Sequence, residues 1–309
     1  MNAVFSKLAK YRIFKDDTIP AYAIMLPILV GFLLFTIYPI VYVLRYSWFD
    51  YDGFTEAKFV GFYNFIRIFT RDPVYWSSLL NTFIIPLAKL VIEIPLALLL
   101  AVFLNSKSVT NSFFRTTFFM PTIISSAIIG IIFSILFSTF NGFVNNLLMN
   151  TGLIDARINW FGDKWLAMSV LIISVVWSHF GISMVFFLMG LQSVPKELYE
   201  CAEIDGANAL QKFFRVTVPM LAPILQIVIM LAIIEGMKMT EMVLVLTNGQ
   251  PGGKTEVVMT YIYKFFFNID GMGANQFGYA SAMSVITAIV IGFITVIYLK
   301  FSNKMSNIY

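Results

Sequence analysis

The sequence predicts an all-α, polytopic membrane protein with six transmembrane helices and both termini in the cytoplasm, and three observations carry that prediction. The first is composition. Of 309 residues, 59% are hydrophobic and 12% charged, with a mean hydropathy of +0.82. A soluble domain carries about 25% charged residues. This chain cannot clothe a water-facing surface, which excludes an ordinary soluble enzyme. The second observation is a set of six apolar stretches of spanning length, and the third is the uneven placing of Lys and Arg. Scarce side chains narrow the classes further. One Cys, Cys201, excludes a disulfide scaffold and a Cys-rich metal site, and one His, His179, leaves no cluster for a metal or a proton relay. A net charge of +4 is too small to imply a nucleic-acid partner.

A hydrocarbon core about 30 Å thick needs roughly 20 apolar residues per helix. The stretches at about 21–46, 81–104, 116–140, 165–191, 218–239 and 279–301 meet that length. Each reads as a continuous helix, because lipid offers backbone groups no partner. The period-2 alternation of a membrane barrel is absent. Span one is too long for a signal-peptide core, holds Pro27 and Pro39, and has no small-x-small site after it. Residues 1–17 precede it as a separate segment, and 18–309 form one transmembrane domain. Within that segment, Phe5, Leu8 and Phe14 among basic residues fit an interfacial helix or a solvated tail equally.

Aromatic runs follow span one, at Trp48–Phe54 and Val60–Phe65, and suit the headgroup level. In span two, Lys89 and Glu93 are four apart and meet on one helix face, favouring a structural pair inside the bundle over a role in a pathway. In span five, Glu235, Lys238 and Glu241 recur at spacings of three, so that Lys238 can bridge two carboxylates. Ionisable groups inside spans are costly and often functional. Orientation follows from Lys7, Lys10, Arg12 and Lys15, then Lys107 and Arg115, then Lys196, Lys212 and Arg215, then Lys300 and Lys304, all on one side. The other side spreads Lys58, Arg67, Arg71, Arg157, Lys164, Lys254 and Lys264 over longer loops. The positive-inside rule puts the first group in the cytoplasm.

The loop at 192–217 reads as a helix–turn–helix. Pro195 suits a helix start, Glu197 its first turn, Gly206 the left-handed stop, and Asn208 the cap of a second helix carrying Leu210, Phe213 and Phe214. Pro219 and Pro223 then open span five. Leu198, Cys201, Ala202 and Ile204 add apolar surface where no lipid covers it. Such a loop either folds back on its own spans or docks into a groove on a partner.

The series Glu200-Cys201-Ala202, Asp205-Gly206-Ala207, Phe214, Pro219 and Pro223 resembles the EAA loop of binding-protein-dependent ABC importer permeases. Gly190–Tyr199, Leu246–Gly253, Phe277–Ala282, Phe113–Pro121, Leu26-Pro27 and Tyr38-Pro39 resemble the carbohydrate-uptake subgroup of maltose-system type, so the likeness runs from span one to span six. Cys201 departs from the usual Ala but is also small and apolar. The resemblance implies a half-channel in a bacterial cell membrane that pairs with a second permease, in this subgroup usually a different chain. Two cytoplasmic ATPase subunits would bind ATP and Mg, with no cofactor on this chain, and an extracytoplasmic solute-binding protein would deliver the sugar. Glu200, Cys201, Ala202, Asp205, Gly206, Ala207, Phe213 and Phe214 would form the ATPase-coupling element, with Gly206 setting the turn and Asp205 bracing it. Glu197 and Glu203 read as solvated helix charge.

By the same resemblance, Trp177, His179 and Ser183 of span four and Glu235, Gly236, Lys238 and Met239 of span five are candidates for lining a sugar pathway, against helix–helix packing for each. Trp177 offers an aromatic face and His179 a polar group, the pairing sugar sites use. A neutral mono- or oligosaccharide is the default; Lys89 and Lys238 leave an acidic one open. Gly253-Lys254-Thr255 ends like a phosphate loop, but the position needing the first Gly is Asn248 and no βαβ unit surrounds it. The alternatives are a self-sufficient secondary transporter or channel and a membrane-embedded lipid enzyme. Neither has a task for the helix–turn–helix.

Overall fold

The computed structural model describes residues 18–106, 108–237, 239–268 and 275–306. The N-terminal segment at 1–17 and Lys238, with its expected bridge between carboxylates, lie outside the described residues. The described residues are mostly helical. In order it forms α1 (Thr18–Phe32), a π turn at Leu33–Ile37, α2 (Tyr38–Tyr46), β1 (Phe49–Asp50), β2 (Lys58–Phe59), α3 (Tyr63–Arg71) and α4 (Pro73–Phe103). There follow α5 (Val109–Phe119), a 3-10 turn at Met120–Ile123, α6 (Ser126–Leu136), α7 (Phe143–Asn150), α8 (Lys164–Ser193), α9 (Lys196–Ile204) and α10 (Ala209–Lys212). A π turn at Phe213–Thr217 leads to α11 (Val218–Met220), α12 (Ala222–Met237), α13 (Glu241–Leu246), α14 (Val258–Phe267) and α15 (Phe277–Ser306).

Among the described residues, four helical stretches are long and apolar enough to cross a membrane: Ile24–Tyr46, Pro73–Phe103, Lys164–Ser193 and Phe277–Tyr298. The third and fifth predicted spans are not continuous helices, and this corrects the sequence expectation. Val109–Ile123 and Ser126–Leu136 meet at 97°, and Ala209–Met220 and Ala222–Gly236 at 63°; six spans result only if each bent pair crosses as one. A proline lies beside each bend. Pro121 lies in the 3-10 turn, after which Ile124 is extended at ψ 136°. Pro223 lacks the N–H that would close a helical bond to the carbonyl of Pro219. The first break is seated on α8. The Thr122 hydroxyl donates to the Ser178 carbonyl at 3.0 Å, and Gly181 faces the Phe118 carbonyl where a Cβ would overlap it.

The second span begins at Pro73 rather than near Asn81, because Asp72 caps it: its carboxylate accepts the Tyr75 N–H at 2.9 Å, with Pro73 at the first helical position. The centre of the bundle is α4 against α8. Ala97 and Ala101 of α4 let Met184, Phe187 and Leu191 of α8 close in, while Ile85 joins Ile129, Leu171 and Val243 in a second cluster. Ile24–Tyr46 has none of its residues buried within the chain. That leaves its apolar surface for lipid or another subunit.

Candidate functional site

Lys89, at the middle of α4, is 1% exposed. A buried ammonium is tolerated only with close counter-charges, and two are present. Lys89 Nζ is 3.3 Å from Glu93 Oε2 on its own helix and 2.9 Å from Glu235 Oε2 on α12. The predicted one-helix pair is therefore part of a larger cluster. His179 Nδ1 of α8 lies 3.3 Å from the same Glu235 oxygen, and the buried Ser183 hydroxyl donates to Glu93 Oε1 at 2.5 Å. Lys89 joins α4 to α12, and α8 joins them through the two carboxylates. Close approach of α12 to α4 depends on Gly236, where a Cβ would overlap the Pro86 ring.

The cluster opens on a cavity of about 500 Å³ lined by Lys89, Ser126, His179, Glu235, Gly236 and Met239, with Thr240 and Glu241 at the start of α13. Helix α12 ends at Met237 and Glu241 opens a new helix, so the spacing of three does not describe one helix face there. Trp177 lies elsewhere. It lines a separate, wholly apolar recess of about 450 Å³ with Leu96, Phe118 and Phe180. Two residues on a helix are about 200° apart, so Trp177 and His179 face opposite ways and the expected aromatic–polar pairing does not form. Ser183 stands behind the cavity, against Glu93. Ser126 and Thr240 join the lining without having been singled out in the sequence.

The 192–217 segment is built as its residues predict. The Gly206 N–H donates to the Glu203 carbonyl at 3.0 Å and the Ala207 N–H to the Ala202 carbonyl at 2.9 Å, with Gly206 at φ 74°. This pair of bonds closes α9 in a Schellman turn. The turn is held by backbone bonds, including the Asp205 N–H to the Cys201 carbonyl at 3.0 Å, rather than by a bracing Asp205 carboxylate. Asn208 and Gln211 cap α10 reciprocally at 2.9 Å each way. Lys212 reaches Glu203 at 3.1 Å, and the Tyr199 and Thr217 hydroxyls meet at 3.0 Å, tying the turn to the run into α12. Glu200 and Cys201 are exposed, Ala202, Ala207 and Phe213 half-buried, and Ile204, Leu210 and Phe214 present apolar side chains outward.

Gly253-Lys254-Thr255 forms a closed turn. The buried Thr255 hydroxyl donates to the Gln250 carbonyl at 2.6 Å, and Asn81 of α4 donates to the carbonyls of Lys254 and Glu256 at 2.8 Å. Nearby, Asp72 accepts the Tyr261 hydroxyl at 2.9 Å and the Tyr279 hydroxyl at 2.6 Å, joining α14 and α15 to the head of α4. Burial and the Asp72 carboxylate hold the Tyr261 hydroxyl well above its ordinary pKa.

A helical membrane bundle with a charged cavity between its spans and a rigid helix–turn–helix at one end defines a membrane permease. The chain belongs to the family described as binding-protein-dependent transport system inner membrane component, which matches residues 93–306. It is a multi-pass cell-membrane protein and not itself an enzyme. The probable ABC transporter permease protein YesP of Bacillus subtilis is 35% identical over 299 residues, covering 96% of this chain and 94% of that one. The arabinooligosaccharides transport system permease protein AraP of the same organism is 35% identical over 286 residues, covering 92% and 88%. A trehalose/maltose transport system permease protein, MalF of Thermococcus litoralis, is 29% identical and covers 97% of each chain. Among solved structures, a bacterial ABC transporter involved in the import of the acidic polysaccharide alginate has the same fold, with a TM-score of 0.77 at 24% identity over 92% of this chain and 95% of that one.

Proposed function

We propose that this chain is one of two permease subunits of an ABC importer that carries a saccharide into the cell by alternating access. The relatives named as arabinooligosaccharide and trehalose/maltose permeases, which it matches along nearly its whole length, support a sugar cargo. The observation that carries the mechanism is the exposed α9–Gly206–α10 unit. Its turn is closed by internal backbone bonds while Glu200 and Ile204, with Phe214 just beyond it, are exposed, so it can transmit a push as one body. Partner ATPase subunits in the cytoplasm, holding ATP and Mg, would take this unit in a cleft, which places both termini on the cytoplasmic side. A second permease of different sequence completes the pathway, and an extracytoplasmic solute-binding protein delivers the sugar. Coupling of this kind needs an element with two arrangements that both sites bias. The bent 209–236 segment joins the docking unit to the cavity and is the natural such element.

Within the pathway, His179, Glu235, Gly236 and Met239 face the solute and Ser183 supports them through Glu93. Lys238, outside the described residues, is kept as a lining candidate, and Trp177 lines a separate apolar recess. The test is uptake and ATP hydrolysis by the complete complex in proteoliposomes. Glu200→Ala should leave the protein inserted and hydrolysis running while uptake falls at least about tenfold, the loss of one charge-assisted contact. Unchanged uptake, or sugar movement by this chain alone down a proton gradient, would refute the reading.

A further inference from the structure

We infer that the cavity between α4, α8 and α12 takes a neutral, polyhydroxylated saccharide and rejects an anionic one, with Glu235 as acceptor for the sugar hydroxyls. This rests on the sugar-import reading above and narrows it to a charge class. Three carboxylates belong to the cavity: Glu235 and Glu241 in its lining, and Glu93 directly behind Lys89. Lys89 is the one lysine among the described residues that lines it, and adding Lys238 still leaves carboxylates in excess.

Geometry sharpens this charge balance. Lys89 Nζ is held between Glu93 and Glu235, and the residue is 1% exposed, so it offers no face to a solute carboxylate. The Glu235 side chain is 39% exposed. Both of its short contacts, to Lys89 and His179, are made by Oε2. A carboxylate has capacity for about four donors, so Glu235 Oε1 can accept a hydroxyl, or a vicinal pair, while Lys89 keeps the group in place. Hydrogen bonds to an ionised acceptor are about twice as strong as neutral ones. A uronate brought to the same place would set its charge against Glu235 and Glu241 in a site of reduced dielectric, where repulsion is several-fold larger than in water.

The test uses the assembled complex in nanodiscs without its binding protein, so that the membrane cavity alone selects. Equilibrium binding of two size-matched probes, arabinotriose and trigalacturonate, is measured by calorimetric titration. Arabinotriose should bind at least about tenfold more tightly than trigalacturonate, the discrimination one nearby like charge produces at an effective dielectric of about 20. Glu235→Gln with Glu241→Gln should weaken arabinotriose and shrink the gap below about threefold. Glu241→Gln alone, which leaves the Lys89 ion pairs intact, should shrink it part of the way and covers the case in which the double variant does not fold. Trigalacturonate binding as tightly as arabinotriose, or a gap unmoved by Glu241→Gln, overturns the charge assignment and leaves the sugar reading standing. Failure of the wild-type complex to bind either trisaccharide overturns the sugar reading of the cavity, and this inference with it.

Discussion

Replacing Lys89 by Met removes the one ammonium that α4 and α12 share. The side chain is one atom shorter but keeps an unbranched apolar stem, so the packing change is small and the electrostatic change dominates. Two carboxylates lose their counter-charge: Glu93, with a side chain 2% exposed and 3.3 Å from Nζ, and Glu235, 39% exposed and 2.9 Å away. Breaking a buried pair from one side costs about 3–5 kcal/mol, because the remaining charge is stranded. Glu93 bears nearly all of this, since Glu235, 39% exposed, can turn into the cavity and keep His179. For a chain of this size about 1 kcal/mol shifts the melting midpoint by roughly 2 °C, so Lys89→Met should melt about 6–10 °C lower in a thermal scan of the purified complex. Adding Glu93→Gln should recover at least half of that loss, because a neutral amide can still accept the Ser183 hydroxyl. Adding Glu235→Gln instead should recover less. A midpoint unchanged by Lys89→Met, or a larger rescue from Glu235→Gln than from Glu93→Gln, would refute the reasoning that Lys89 chiefly neutralises a buried Glu93.

Three further outcomes follow from single contacts. Gly206→Ala puts a side chain at φ 74°, at a cost of about 1 kcal/mol; the complex should still assemble but move less sugar per ATP hydrolysed, and an unchanged ratio in proteoliposomes would show that the turn need not be rigid. Gly181→Leu drives a side chain into the Phe118 carbonyl, so the bend at Pro121 must lift off α8, and monodisperse yield on size exclusion should collapse; a wild-type profile would mean the break is not seated there. Asp72→Asn weakens the hold on two tyrosine hydroxyls, worth about 1.5–3 kcal/mol for each charge-assisted bond, and should lower the melting midpoint by several degrees; equal midpoints would remove Asp72 as the link between α4, α14 and α15.

What the sequence disclosed, and what it hid, divides along a physical line. Features that depend on one helix or one turn were legible. The apolar lengths around 24–46 and 164–193, the Lys89–Glu93 spacing of four and the left-handed stop at Gly206 each follow from rise per residue or from φ alone. The opposition of Trp177 and His179 belonged to this class too, since a separation of two on a helix is enough to send them to different walls. Features that depend on two helices meeting were not legible. Glu235 and Lys89 are 146 residues apart, and only the approach of α12 to α4 over Gly236 and Pro86 brings their charges together. The bends at Pro121 and Leu221 fall between these cases. Proline marked both places, but an unbroken apolar run cannot say whether a proline kinks a span or splits it, because the broken ends are just as apolar as an intact helix. The splits matter for function. A continuous fifth span would set Glu235 and Glu241 on one rigid rod running from the docking turn. The split one places a 63° bend on the N-terminal side of Glu235 and a helix break on its C-terminal side. If partner subunits dock at the Gly206 turn as proposed, motion there would rotate α12, and with it the Glu235–Lys89 contact, without moving α4.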